Sequence, residues 1–162
     1  MTTHHPSPAE DGDAPIHGKY EAAKQILDVR QMLVSTVFRS IRIPMDNCWS
    51  PDLDRAWRQL CAPALARCPD RLAEEEWRMR AALFGLLSRS MAVPLLLQGN
   101  DQLVMLCGQQ PAMLMHEQRM TTMGALMNAI KTGSVHAASA AALTQVELDQ
   151  YELKSFFDQP MQ

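Results

Sequence analysis

Glycine is scarce in this chain of 162 residues: there are seven, and no two are adjacent. A phosphate-cradling loop needs clustered glycines, so that backbone N–H groups can approach the phosphates. Gly108 and Gly124 stand alone, and no G-x-S-x-G nucleophile elbow occurs. Valine and isoleucine are also few, twelve in total. Pleated strands favour those residues, so a sheet-based fold is disfavoured. Long apolar runs are missing as well. The longest, Met91 to Leu97, falls far short of the roughly 20 residues a membrane helix needs. The N-terminus lacks the basic-then-apolar pattern of a secretory leader. These absences predict a soluble, cytosolic protein.

No surplus of positive charge is present either. Lys and Arg number 15 against 18 Asp and Glu, a net charge of −3. A nucleic-acid-coating protein would carry the opposite balance. The four cysteines, Cys48, Cys61, Cys68 and Cys107, form no C-x-x-C pair. Zinc-ligand spacing is therefore absent, and reduced thiols are expected. His116-Glu117 begins like a zincin motif, but Met120 stands where the second histidine belongs. A Cys107–His116 nucleophile pair would have to form across Gly108 and Pro111, and spacing alone does not bring it together. The expectation is no catalytic residue, no cofactor and no metal.

What the chain has in abundance is helix-forming residues: 20 Ala, 19 Leu and 12 Met. Their side chains lose little freedom in a helix. The predicted fold is all-α, a single irregular helical bundle. Residues 1–17 hold three prolines and three histidines and little large aliphatic content, which predicts a disordered tail. Residues 18–162 form the predicted helical domain.

Periodicity and punctuation divide that domain. Ile26, Leu33, Val34, Val37, Phe38 and Ile41 recur at three- and four-residue steps, predicting a helix over about 19–41. Ser50-Pro51-Asp52 reads as a helix start, with a capping hydroxyl, a proline at the first position and acid in the first turn. Leu53, Trp57, Leu60 and Cys61 would share its face. Cys68-Pro69-Asp70 opens a further helix, with Leu72, Trp77, Ala81, Phe84 and Leu87 as its apolar stripe. Glu74–Arg78 and Glu76–Arg80 have favourable i,i+4 order, and both are expected on a solvated face. Gly99-Asn100 is expected to break the next helix, Asn100 capping a second piece that Gly108 ends. A Met-rich segment follows from Pro111 to Gly133. An Ala-rich helix is predicted over about 135–157. No internal repeat is present.

Two stretches carry a family resemblance. The first is Phe38-Arg39-Ser40-Ile41-Arg42-Ile43-Pro44, then Cys48-Trp49-Ser50-Pro51-Asp52-Leu53 and Trp57-Arg58-Gln59-Leu60. The second is Phe84-Gly85-Leu86-Leu87-Ser88-Arg89, then Pro94-Leu95-Leu96-Leu97 and Leu103-Val104-Met105-Leu106. Together they resemble the N-terminal part and central helices of type III secretion sorting-platform adaptors of the SctK/YscK kind. In that family a histidine often follows the aromatic-Pro segment; here Asn47, Cys48 and Trp49 stand there. The resemblance implies a bacterial, non-enzymatic adaptor. Such a protein links the inner-membrane ring to the pod proteins and touches the membrane only through partners. Trp49, Trp57, Arg78 and Arg89 are the candidate protein-binding residues. For the tryptophans, core packing is the plainer reading.

Two other classes remain open from sequence. A small chaperone or regulator could hold an amphipathic helix in a groove lined by Met113 to Met127. A helical enzyme or ligand-binding bundle would use Cys107, His116 or His136.

Overall fold

Proline and capping chemistry set the helix boundaries through much of the chain. In the computed structural model, residues 13–41, 44–108 and 116–158 are described. The elements are α1 (Asp13–Arg39), a 3-10 turn (Met45–Cys48), α2 (Pro51–Leu60), α3 (Pro63–Ala66), α4 (Pro69–Leu87), α5 (Ala92–Cys107), α6 (His116–Lys131) and α7 (Val135–Asp158). No strand occurs among the described residues, and the fold is all-α. No helix there is long and apolar enough to cross a membrane.

Ser50 caps α2 as expected: its Oγ accepts a hydrogen bond from the Leu53 N–H at 3.2 Å. Proline occupies the opening of α2, α3 and α4. There its missing N–H costs nothing, because first-turn N–H groups lack an intrahelical partner. Gly108 and Gly133 end α5 and α6 with φ of 76° and 74°, the left-handed region that glycine enters without strain.

Two boundaries differ from expectation. Helix α1 begins at Asp13, so residues 13–17, expected in the tail, are helical. Pro15 lies in the first turn, where it is tolerated, and the rings of Tyr20 and of Phe157 on α7 meet in an edge-type arrangement with centroids 5.6 Å apart, holding this end down. Residues 1–12 lie outside the described residues. Helix α5 runs unbroken through Gly99 and Asn100. Asn100 does not cap; it is buried and accepts a hydrogen bond from Arg30 at 3.1 Å. Tertiary contact overrides the local breaking tendency.

Helices α6 and α7 form a hairpin around the turn at 132–134. Helix α7 packs on α1, α1 on α5, and α4 contacts α1, α2, α3 and α5. Buried apolar residues fall into two clusters. The larger includes Val34, Val37, Phe38, Leu83, Phe84, Leu96, Leu126, Ile130 and Val146. The smaller is Ala23, Leu27, Leu103 and Leu153. Met123 and Met127 are buried and Met120 is half-buried, so the described methionines of α6 fill core. Met113 and Met115 lie outside the described residues.

Candidate functional site

Between the two apolar clusters lies a layer of buried charge. On α1 the inward residues run Leu27, Arg30, Val34; on α5, Leu96, Asn100, Leu103; on α7, Val146, Asp149, Leu153. In each helix a polar residue replaces one member of the apolar stripe at the same level. Helix α4 adds Glu76 and Arg80, and α6 adds Arg119. Glu152, one turn beyond Asp149, completes the set. Three arginines face three carboxylates, so the layer is electrically balanced.

Asp149 is the hub. It accepts from Arg30 Nη1 at 2.9 Å, from Arg80 Nη2 at 3.1 and 3.2 Å, and from Arg119 Nη2 at 2.6 Å. Arg119 also donates from Nε to Glu152 at 2.9 Å, and its Nη1 lies 3.6 Å from Glu76. Arg80 Nε is 3.0 Å from Glu76 Oε1, a buried ion pair within α4. The indole of Trp77 covers two of the cations. The guanidinium carbons of Arg30 and Arg80 lie 4.4 and 5.2 Å from its ring centre, a favourable cation–π arrangement.

For Asp149, Glu76, Arg30 and Arg119 burial opposes charge, and the balance with the charged neighbours differs from one group to the next. For Asp149, burial pushes toward the neutral acid. Arg80, Arg119 and Arg30 outweigh it and hold the carboxyl below the usual carboxylate range. For Glu76 burial wins over Arg80 and Arg119, and its carboxyl is raised. Burial likewise lowers Arg30 despite Asp149. Arg119 goes the other way: Asp149, Glu76 and Glu152 overcome burial and raise it.

Glu76 and Arg80 therefore correct the expectation of a solvated i,i+4 pair. Only Glu74–Arg78 of the two pairs is on the surface. Helix α4 is covered on more than one side, so a residue two positions from Arg78 turns fully inward. The signal available in sequence was charge at stripe positions: Arg30 between Leu27 and Val34, and Asp149 between Val146 and Leu153.

The four candidate binding residues do not converge. Trp49 is half-buried against the core, with Lys131 Nζ 5.3 Å from its ring. Trp57 is half-buried and packs toward Gly124. Arg78 is exposed and paired with Glu74 and Glu75. Arg89 is exposed beside a shallow groove that includes Ser40, Ser88 and Ser90. No described contact joins the tryptophans to either arginine. Cys107 is half-buried, and burial raises its thiol despite Lys19. No described contact brings it to His116, and His136 is exposed. Among the described residues, no group of three or more His, Cys, Asp or Glu could hold a metal ion.

The surface carries a different feature. A groove of about 400 Å³ runs between α1 and α5, lined by Ala22, Ile26, Val29, Leu33, Leu95 and Gly99 among others. Its polar members Gln25, Gln98 and Gln102 are uncharged, and Arg30 turns into the buried layer. Val29 (52%), Met32 (69%) and Leu95 (47%) are large apolar side chains left exposed here and on the adjoining surface of α1.

Comparison with protein families, curated proteins and solved structures finds no match. Function is therefore argued from this chain's own sequence and geometry.

Proposed function

We propose that this chain is a non-enzymatic helical adaptor, working as a cytoplasmic sorting-platform component of a bacterial type III secretion system. In this reading it joins the inner-membrane ring to pod proteins and is held near the membrane by those partners alone. The supporting sequence feature is the resemblance over residues 38–60 and 84–106. The observation that carries the binding role is the α1–α5 groove.

The groove suits an amphipathic helix of a partner protein. Ala22, Ile26, Val29 and Leu33 repeat at steps of four, three and four, the spacing of a helix–helix seam. From Ala22 to Leu33 the seam is about 16 Å long at helical rise, room for roughly three turns of a partner. The lining presents no charge outward, so the partner face is expected to be apolar with uncharged polar flanks. Helix-in-groove recognition has this form. The buried polar layer supports the same role. It ties α1 to α4, α6 and α7, so the groove wall on α1 is held in one position.

The test is affinity capture from the native bacterium with the tagged full chain, beside a Val29→Glu variant. Recovery of ring and pod components by the unaltered chain, and their loss with the variant, is the expected result. Recovery of a single small secreted protein or a regulator in their place would overturn the adaptor reading.

A further inference from the structure

Helices α1 and α5 share an exposed face that carries no charge. Gln25, Val29 and Met32 recur on α1 at steps of four and three, and Leu95, Gln98 and Gln102 recur on α5 at steps of three and four. All six are exposed. Met91 and Met105, both exposed, extend the α5 stripe in either direction at the same steps. From Met91 to Met105 the face is about 21 Å long at helical rise, and two helices make it about 20 Å wide. Its plan area, on the order of 400 Å², is within the size of patches that mark association sites.

The face has a protrusion and a recess. Met32 is 69% exposed. Gly99 is the recess: a Cβ there would meet Ile26 Cγ2 at 3.5 Å and nothing else within 4 Å, so packing inside the chain does not demand a glycine at this position. Ile26 fixes the level of the recess, three residues before Val29, and Met32 stands three residues after it. Recess and protrusion therefore lie about 4.5 Å to either side of Val29 along α1.

We infer that this face pairs with the same face of a second copy of the chain. The two-fold axis lies in the contact and crosses the helices at Val29, which carries Met32 of each copy to the level of Gly99 in the other. Charge favours a copy over a different partner. An isologous contact sets like against like, so a charged face would repel itself, and this one has no charge to do so. Its polar side chains are glutamines, whose carboxamides both donate and accept and can bond to their own copies. Two helices laid on two helices make a four-helix arrangement that buries both stripes. The contact is at the small end of specific interfaces, which bury roughly 1,200–2,000 Å² in all, so the dimer is reversible. It does not rest on the adaptor reading. Because it covers the α1–α5 groove, a partner helix would bind there in competition with it.

Sedimentation equilibrium of the full chain alone, from about 1 μM to about 1 mM, tests this. The mass is expected to rise from one chain to two and to stop there, because a two-fold contact closes. Val29→Glu and Val29→Lys each set like charges face to face across the axis, and each should weaken the dimer at least about tenfold. Val29 is exposed, so both variants keep native helical content by circular dichroism. Mixed in equal amounts they should associate again, since opposite charges then meet. A native chain that stays monomeric throughout, a mass that grows past two chains, charged variants that pair as tightly as the parent, or a mixture that stays apart would overturn the proposal. No ring or pod protein is present, so this outcome is separate from that of the adaptor reading.

Discussion

Arg30 and Asp149 meet at 2.9 Å although 119 residues separate them in sequence. The contact closes α1 onto α7 at the level where both apolar stripes are interrupted by charge. Asp149 receives Arg80 and Arg119 as well, so one carboxylate gathers cations from three other helices. A buried ion pair gives little net stability against a well-packed apolar alternative, because desolvation offsets the attraction. What this layer supplies is register: sliding any one helix by a turn would strand a charge in the core.

Removing the hub should therefore cost far more than removing its neighbour. Asp149→Asn leaves three buried guanidiniums short of their common partner, and a loss of about 3–5 kcal/mol is expected. Glu76→Gln removes a carboxylate that burial already disfavours as an ion, so a clearly smaller loss is expected. Urea unfolding of both variants checks the ranking, and equal losses would contradict it.

The same two carboxyls should respond to pH in opposite directions. Asp149 is held below its unfolded value of about 4. Its contribution is complete above that value and is lost as pH falls through the folded one. Glu76 is raised, so its contribution is complete below its unfolded value near 4 and is lost as pH rises through the folded one. Against the native chain, Asp149→Asn should flatten the acid loss. Glu76→Gln should remove a decline that sets in above about pH 4. Unfolding midpoints across acid to neutral pH report both effects.

Arg78 and Arg80 are two residues apart on α4 and should behave very differently. Arg78 is exposed with Glu74 and Glu75, so Arg78→Ala should cost under about 1 kcal/mol. Arg80→Ala takes one of three buried cations from Asp149 and the nearer of two from Glu76, and about 3 kcal/mol is expected. Thermal and denaturant unfolding of the pair measure the contrast.

Gly99 sits inside α5, where glycine is a poor helix former. A Cβ placed there would meet Ile26 Cγ2 at 3.5 Å, an ordinary contact. Gly99→Ala should stabilise the fold by about 0.5–1 kcal/mol. Destabilisation in an unfolding experiment would show that α1 approaches α5 more closely than this.

Much of the bundle was legible in the sequence because the relevant signals are local. Ser50, Pro51, Pro69, Gly108 and Gly133 act within a few residues of themselves, and they set boundaries where expected. The apolar stripe through Val34, Val37 and Phe38 is likewise a property of one helix. The polar layer was not legible in the same way. Its bonds join residues 30 to 119 positions apart, and no local pattern states which arginine meets which carboxylate. Glu76–Arg80 has the spacing of a surface pair, and only the coverage of α4 by its neighbours turns it inward. Asn100 departs from its local signal for a related reason: its side chain can cap a helix, but Arg30 of α1 captures it instead. The α1–α5 groove depends on which two helices meet, and periodicity within α1 gives one wall of it at most.

The most direct test of the adaptor reading is binding between purified components. The full chain and its Leu95→Glu variant would each be titrated with the purified cytoplasmic domain of the ring and with the purified pod protein. Leu95 is exposed, so the variant should keep the native helical content and melt within about 0.5 kcal/mol of the parent. The account predicts that the native chain binds both partners and that the variant, still folded, loses at least one of them. A native chain that binds neither partner, or a variant that binds both as tightly as the parent, would contradict it.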